Sequence, residues 1–283
     1  MSTFWRDTIL SAAVQKGETR IVPWIVCREA ALEAGIPPRQ TEIWACENGI
    51  CPSRYERSVG TLGLDGQARL LSSRAAVIGC GGLGGWIVEI LARAGVGEMV
   101  VVDGDVFADN NLNRQLFCDE NSIGKPKAQA AKARAQAVNG AVEVTAWNEF
   151  LTPGNADKIL AGCQIAVDAL DGNNARSMLL STCRGLKIPM VHGAIGGFWG
   201  QTCVIFPEDT APWEFMSGAD KGIEQITGNP PFTPAFIASI EAAEAIRIMA
   251  GVGEPLRKLL WCDLKNHEYH KVELGAKGVT RNS

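Results

Sequence analysis

No Cys-x-x-Cys pair occurs anywhere in this 283-residue chain, although it holds nine cysteines, at 27, 46, 51, 80, 118, 163, 183, 203 and 262. The usual structural zinc clasp is built from such pairs, so no zinc is expected. Cys27, Cys46 and Cys51 cluster in sequence but lack a fourth ligand at usable spacing. The cysteine number is odd, and no basic-then-apolar N-terminal segment ends in a small-residue cleavage site. Together these point to a reducing cytoplasm. A basic excess is also missing: 27 Lys and Arg against 31 Asp and Glu leave a formal charge of -4. A general nucleic-acid binder normally carries the opposite balance. Histidine is scarce, with only His192, His267 and His270, each in a strand-patterned segment, and no Ser–His–Asp or Cys–His arrangement emerges. The longest uncharged run, Ile188–Pro207, is twenty residues and long enough to span a bilayer. It contains Pro189, His192, Gln201 and four glycines and alternates like two short strands, so it reads as buried sheet and no membrane contact is expected.

What is present is an ordinary globular composition, 46% hydrophobic and 20% charged, which argues against disorder. Residues 1–53 read as a small helical appendage without a strong strand, with helices at Cys27–Ala34 and Glu42–Glu47 stopped by Gly35 and by Asn48-Gly49. From Ser73 the pattern alternates. Strands are expected at Ala75–Gly79, Met99–Val102, Val142–Trp147 and Ile165–Leu170, and helices at Leu83–Ala94, Lys127–Val138 and Ala175–Leu186. That rhythm implies a parallel sheet with covering helices. Beyond Pro189, short links between Gln201–Phe206, Lys258–Leu264 and Glu268–Leu274 suggest antiparallel strands, with a long helix at Pro234–Met249 and a long loop at 208–231. The expected fold is α/β: a Rossmann-like, mostly parallel sheet extended by C-terminal antiparallel strands. The helical piece spans 1–53 and the main unit 54–283.

Gly79-Cys80-Gly81-Gly82-Leu83-Gly84 lies between strand and helix with G-x-G-x-x-G spacing. Glycines there allow a tight turn and close phosphate approach to a helix N-terminus. Asp103 ends the next strand, where an acidic residue accepts ribose hydroxyls. A dehydrogenase would satisfy this much. Asn110-Asn111-Leu112-Asn113-Arg114-Gln115 and then Gly124-Lys125-Pro126-Lys127 follow, and such cations suit a triphosphate better than a dinucleotide. Val167-Asp168-Ala169-Leu170-Asp171 places acidic residues at the C-terminal end of a strand, over the ligand crevice. Asp171 is the better magnesium candidate, because Asp168 falls inside the strand pattern; Asp171 would equally serve as a helix cap.

With Arg54-Tyr55-Glu56-Arg57 added, this set in this order resembles the MoeB/ThiF/HesA family, relatives of ubiquitin-activating enzymes, over roughly Pro52 to Leu274. The resemblance implies ATP-dependent adenylylation of the C-terminal glycine of a ubiquitin-like sulfur carrier ending in Gly-Gly, of the molybdopterin, tungstopterin or thiamine type. It implies a homodimer and the cofactors ATP and Mg2+. Gly79, Gly81, Gly82 and Gly84 would cradle the nucleotide, Asp103 would hold its ribose, and Asn111, Arg114, Gln115 and Lys127 would line the phosphates. Asp171 would bind magnesium, Arg176 would line the same pocket, and Arg57 would reach ATP from the other subunit. The 208–231 loop would cover the carrier's tail. It contains no cysteine, which favours an enzyme that stops at the acyl-adenylate. Two alternatives stay open: the same ATP site acting on a tRNA base or peptide carboxylate, or an NAD-dependent dehydrogenase.

Overall fold

The computed structural model describes residues 4–214 and 227–274. The N-terminal piece comprises α1 (Phe4–Ala12), β1 (Val14–Lys16), β2 (Thr19–Val22), α2 (Trp24–Ala34), α3 (Pro38–Glu47) and β3 (Ile50–Pro52). The main unit follows as α4 (Val59–Leu71), β4 (Arg74–Ile78), α5 (Gly82–Ala94), β5 (Glu98–Val102), α6 (Lys127–Val138) and β6 (Glu143–Trp147). It continues with α7 (Ala156–Leu160), β7 (Ile165–Asp168), α8 (Asn173–Leu186), β8 (Met190–Gly196), β9 (Trp199–Ile205), α9 (Phe232–Ala250), β10 (Leu259–Asp263) and β11 (Glu268–Val272).

Eight strands form one sheet in the order β11-β10-β9-β8-β7-β4-β5-β6. The five from β8 to β6 are parallel, and β9, β10 and β11 add antiparallel at one side. Both faces of the central strands β4, β5 and β7 are buried, as near-continuous apolar strands require. On one face Ala75, Val77, Met99, Val101 and Val167 pack with Leu83, Ile87 and Leu91 of α5, Ala131 of α6 and Ala242 of α9. On the other, Ala76, Ile78, Val100 and Ala166 pack with Ile159 and Leu160 of α7 and Leu179 and Cys183 of α8. The chain runs outward from β4 through β5 to β6, then returns to the opposite side of β4 as β7. That reversal opens a crevice at the C-terminal ends of β4 and β7.

The N-terminal piece is not purely helical. β1 and β2 form a hairpin, and β2 pairs parallel with β3. Strands of three and four residues are too short to show alternation, and the pairing of Arg20 with Ile50 joins distant segments. The seam at residue 53 is crossed by a shared apolar cluster of Cys46, Cys51, Tyr55, Ala68 and Leu71. The buried Tyr55 hydroxyl donates to Glu42 Oε2 at 2.9 Å and accepts from Asn139 Nδ2 at 3.0 Å. Arg54 pairs with Glu42 at 3.1 Å and also donates to Asn139 Oδ1. This knot ties α3, the Arg54–Tyr55 turn and the end of α6 together.

Two other expectations shift. β7 stops at Asp168 rather than Leu170, because the Asp168 carboxylate takes the Leu170 N–H at 3.0 Å and turns the chain. His267 sits in the turn between β10 and β11 with φ 59, not on a strand. Of the 208–231 loop, residues 215–226 lie outside the described residues.

Candidate active site

A crevice of about 740 Å³ lies over the switch point and runs on across β8, β9 and β10. Its near end is made by the glycine turn between β4 and α5. Gly79 has φ +101, and a Cβ there would lie 2.4 Å from the Ala169 carbonyl oxygen. A Cβ on Gly84 would lie 1.9 Å from the Gly79 carbonyl oxygen. Gly84 therefore does not line the crevice; it lets α5 pack onto the turn. Gly79, Gly81 and Gly82 do line it, beside the open N–H groups and positive dipole end of α5.

Asp103 follows β5 and locks that turn. Its Oδ2 accepts the Cys80 N–H at 2.7 Å and its Oδ1 accepts the Asp105 N–H at 2.8 Å. Burial pushes its carboxyl above the usual value, opposed by those two bonds and by nearby Lys127. A carboxylate has about four lone-pair sites, so capacity remains for ribose hydroxyls.

Three cations line the same end: Arg114, Lys127 and Arg176. Arg114 spends one nitrogen on the Asn110 carbonyl and Asn113 Oδ1, both at 2.9 Å, and its stem passes the Gly82 turn. Lys127 opens α6; its own N–H donates to the Asp105 carbonyl at 3.0 Å, and its Nζ lies 3.4 Å from Asp105 Oδ2. Arg176 donates to the Leu170 carbonyl at 2.7 Å and stands 3.3 Å from Asp168 Oδ2. Asp171 is exposed on the rim between them and α8.

Gln115 lines the wall with its side chain facing Gly81, and its buried Oε1 has no hydrogen-bond partner among the described residues. The set fits a nucleoside triphosphate: an unpaired acceptor for hydroxyl or amino hydrogens, a cradle where a Cβ would intrude, and three cations. Asp171 is one of three exposed carboxylates lining the crevice, with Asp105 and Glu149, and such a lining fits magnesium, which usually takes one or two carboxylates plus substrate phosphates.

Besides Gly84, Asn111 is an expected nucleotide contact that stands elsewhere. Asn111 is nearly buried and serves the loop: its Oδ1 accepts the Ala108 N–H at 3.1 Å and its Nδ2 donates to Asn110 Oδ1. It thereby shapes the turn carrying Arg114 instead of facing the crevice. Arg57, expected to serve another subunit's site, is exposed and does not line its own chain's crevice.

Other lining residues escaped the sequence reading. Phe150 and Leu151, just past β6, lie at the C-terminal end of a parallel strand, a position that alone would have flagged them. Trp199, Gln201 and Trp261 line the far end because β9 and β10 pair in one register, with Trp261 opposite Gln201. No local signal announces that. His192, expected to be structural, is buried yet lines the crevice; its Nδ1 is 2.8 Å from Asp168 Oδ2, and burial holds its pKa below the ordinary value against the pull of Asp168.

All nine cysteines are buried free thiols. Burial pushes Cys203 up to about 12, far from the thiolate form that nucleophilic chemistry needs. No helix among the described residues is long and apolar enough to cross a membrane.

Compared with known proteins, residues 55–280 match the ThiF family. The SAMP-activating enzyme E1 of Haloferax volcanii is 35% identical over 232 residues, covering 77% of this chain and 84% of that protein. The sulfur carrier protein adenylyltransferase of Thermus thermophilus is 34% identical over 238 residues, covering 77% and 86%. Among solved structures, Escherichia coli MccB with ATP superposes with a TM-score of 0.67 at 23% identity, covering 90% of this chain and 84% of that one, a likeness of fold. The glycine turn, Asp103 and the cation wall all fall within the matched span, and the chain belongs to the ThiF family.

Proposed function

We propose that this chain is an adenylyltransferase that uses ATP and magnesium to activate the C-terminal glycine carboxylate of a ubiquitin-like sulfur carrier. The observation that carries the reading is the wall of Arg114, Lys127 and Arg176 around a glycine-turn crevice at the switch point. A dinucleotide needs no such wall. The similarity to the Thermus protein, named a sulfur carrier protein adenylyltransferase, and to the Haloferax protein, named a SAMP-activating enzyme, supports the acceptor.

The acceptor carboxylate has an unperturbed pKa of ~3.3–3.7 and is already ionised at neutral pH. Its oxygen attacks the α-phosphorus; the bond from that phosphorus to the bridging oxygen breaks, and pyrophosphate leaves. No general base is required. Alignment and charge neutralisation are, and Arg114 and Lys127 supply them along the phosphates. Magnesium at Asp171 would add Lewis-acid charge neutralisation there. Arg57 from a second copy of the chain, in a homodimer, would complete the site, a reading supported by its exposure outside its own chain's crevice. Residues 54–283 form the adenylating unit, with 1–53 an appendage to it, a division supported by the family match over 55–280. The free-thiol state of the cysteines accords with a cytoplasmic setting.

ATP–pyrophosphate exchange tests the reading. Exchange that appears only with a Gly-Gly-ended carrier supports it; no exchange with any such carrier overturns it.

A further inference from the structure

Beyond the phosphate end, the crevice floor is made by β8 and β9, with Ala194 opposite Gln201 and Gly196 opposite Trp199. Ala194 and Gly196 are small enough to let a main chain lie close, whereas Gly200 faces the other side of the sheet, where a Cβ would lie 2.3 Å from Ile237 of α9. Gln201 is the hydrogen-bonding side chain of that floor, and a buried relay stands behind it. Asp168 Oδ2 lies 2.8 Å from His192 Nδ1, and His192 Nε2 lies 3.4 Å from Gln201 Nε2. A carboxylate only accepts, so Nδ1 carries the imidazole hydrogen. Burial disfavours a second one, which leaves Nε2 a bare acceptor. The amide end of Gln201 must then face the histidine, and its carbonyl oxygen is left to the crevice. The Trp213 ring packs edge-on against His192 at 4.9 Å, and Arg176 stands 3.3 Å from the same Asp168 oxygen, so neither member of the relay is free to turn.

We propose that Gln201 accepts a main-chain N–H of the acceptor's extended carboxy-terminal tail, and that Asp168 and His192 are positioning residues that hold the Gln201 amide in the required orientation. This rests on the adenylylation reading above. The tail then lies over Ala194 and Gly196 with its terminal carboxylate directed toward the cation wall. The relay moves no proton; its work is to exclude the flipped amide, which would present a donor where the tail also donates.

The test measures ATP–pyrophosphate exchange with a Gly-Gly-ended carrier, for wild type and for Gln201→Leu, His192→Phe and the double variant. Gln201→Leu is expected to raise the carrier KM about tenfold, the order of one lost hydrogen bond, with the ATP KM unchanged. His192→Phe moves the carrier KM the same way by less, and the double variant is no worse than Gln201→Leu, since both act through one contact. A second measurement avoids any folding effect: carriers N-methylated in turn at each of the last three peptide bonds. At one position methylation costs wild type the same factor and costs Gln201→Leu nothing. An unchanged carrier KM, a parallel rise in the ATP KM, or additive losses would each overturn the proposal. If wild type itself shows no carrier-dependent exchange, the adenylylation reading falls and this proposal falls with it; if wild type exchanges and Gln201→Leu matches it, only this proposal falls.

Discussion

The two ends of the crevice are built by different means. At the glycine-turn end, which we propose takes the phosphates, the lining comes from the main chain of Gly79, Gly81 and Gly82 and from loop and helix-start residues Asp103, Arg114, Lys127 and Arg176. At the far end they come from side chains on β8, β9 and β10, which meet only because the strands pair in one register. At the first end an added carbon at Gly79 or Gly84 strikes main chain, whereas at the second the crevice is presented by side chains, which can change and so vary in recognition. That division suits an enzyme whose nucleotide is fixed and whose acceptor differs between relatives.

The sharpest way to break the comparison is to add one carbon at the first end. Gly84→Ala would force a Cβ to within 1.9 Å of the Gly79 carbonyl oxygen, so the turn must move. The expected outcome is loss of nucleotide binding with destabilisation of about 3 kcal/mol, the upper range for overpacking, read by nucleotide titration and urea unfolding. Gly82→Ala is the control, because its Cβ would meet Pro234 at an ordinary 3.6 Å. It should fold as wild type and weaken only the nucleotide. If both variants behave alike, the distinction between a packing glycine and a cradle glycine is wrong.

Next in size is the cation wall. Arg114→Ala and Asp171→Ala should each keep the fold, since Arg114 bonds only within its own loop and Asp171 is exposed. For Arg114→Ala exchange should fall by about 10²–10³, the usual loss for a group that stabilises transition-state charge. Activity retained in both would remove the site assignment.

This contrast also explains what the sequence could and could not reveal. β4, α5, β5, α6 and β6 were legible because continuous apolar runs and 3.6-residue spacing are local properties. The glycine turn and the cations were legible because strand order places loop residues at one sheet end. The N-terminal sheet was not, because its strands are three or four residues long and pair across distant segments. Gln201 and Trp261 were not, because their meeting is a matter of register. Asn111 was misplaced for the opposite reason: its neighbours in sequence line the crevice, yet its amide is taken by its own loop.

A mid-sized effect separates two buried acids behind the far end. Asp168 has His192 and Arg176 against it. Glu241, on α9, is fully buried beneath Gly193, and both its oxygens lack a hydrogen-bond partner among the described residues. Burial pushes its pKa well above the ordinary value of 4.5, with Asp168 adding to the rise and Arg176 opposing it. A raised acid binds its proton in the folded state over a pH range where the unfolded chain has lost it. Stability therefore falls as pH climbs above about 4.5 toward the folded value, by up to about 1.4 kcal/mol per pH unit. Glu241→Gln keeps the shape without the titration and should flatten that slope in chemical denaturation between pH 5 and 8. An unchanged slope would mean that Glu241 is ionised in the fold.

The smallest effect belongs to Trp261, which is half-buried, stacks on His270 with ring centroids 5.8 Å apart, and lines the far end of the crevice. It lies on the strand next to Gln201 and offers an apolar flank, not a hydrogen bond, to whatever lies on the floor. Trp261→Leu keeps an apolar side chain and removes only the ring's extra contact, worth roughly 0.5–1 kcal/mol. The expected result is a carrier KM raised about two- to fivefold, with the ATP KM and the unfolding midpoint unchanged. The same change in the ATP KM would show that the two ends communicate through the sheet. It would also mean that the separation between a main-chain nucleotide end and a side-chain acceptor end does not hold in energy, even though it holds in geometry.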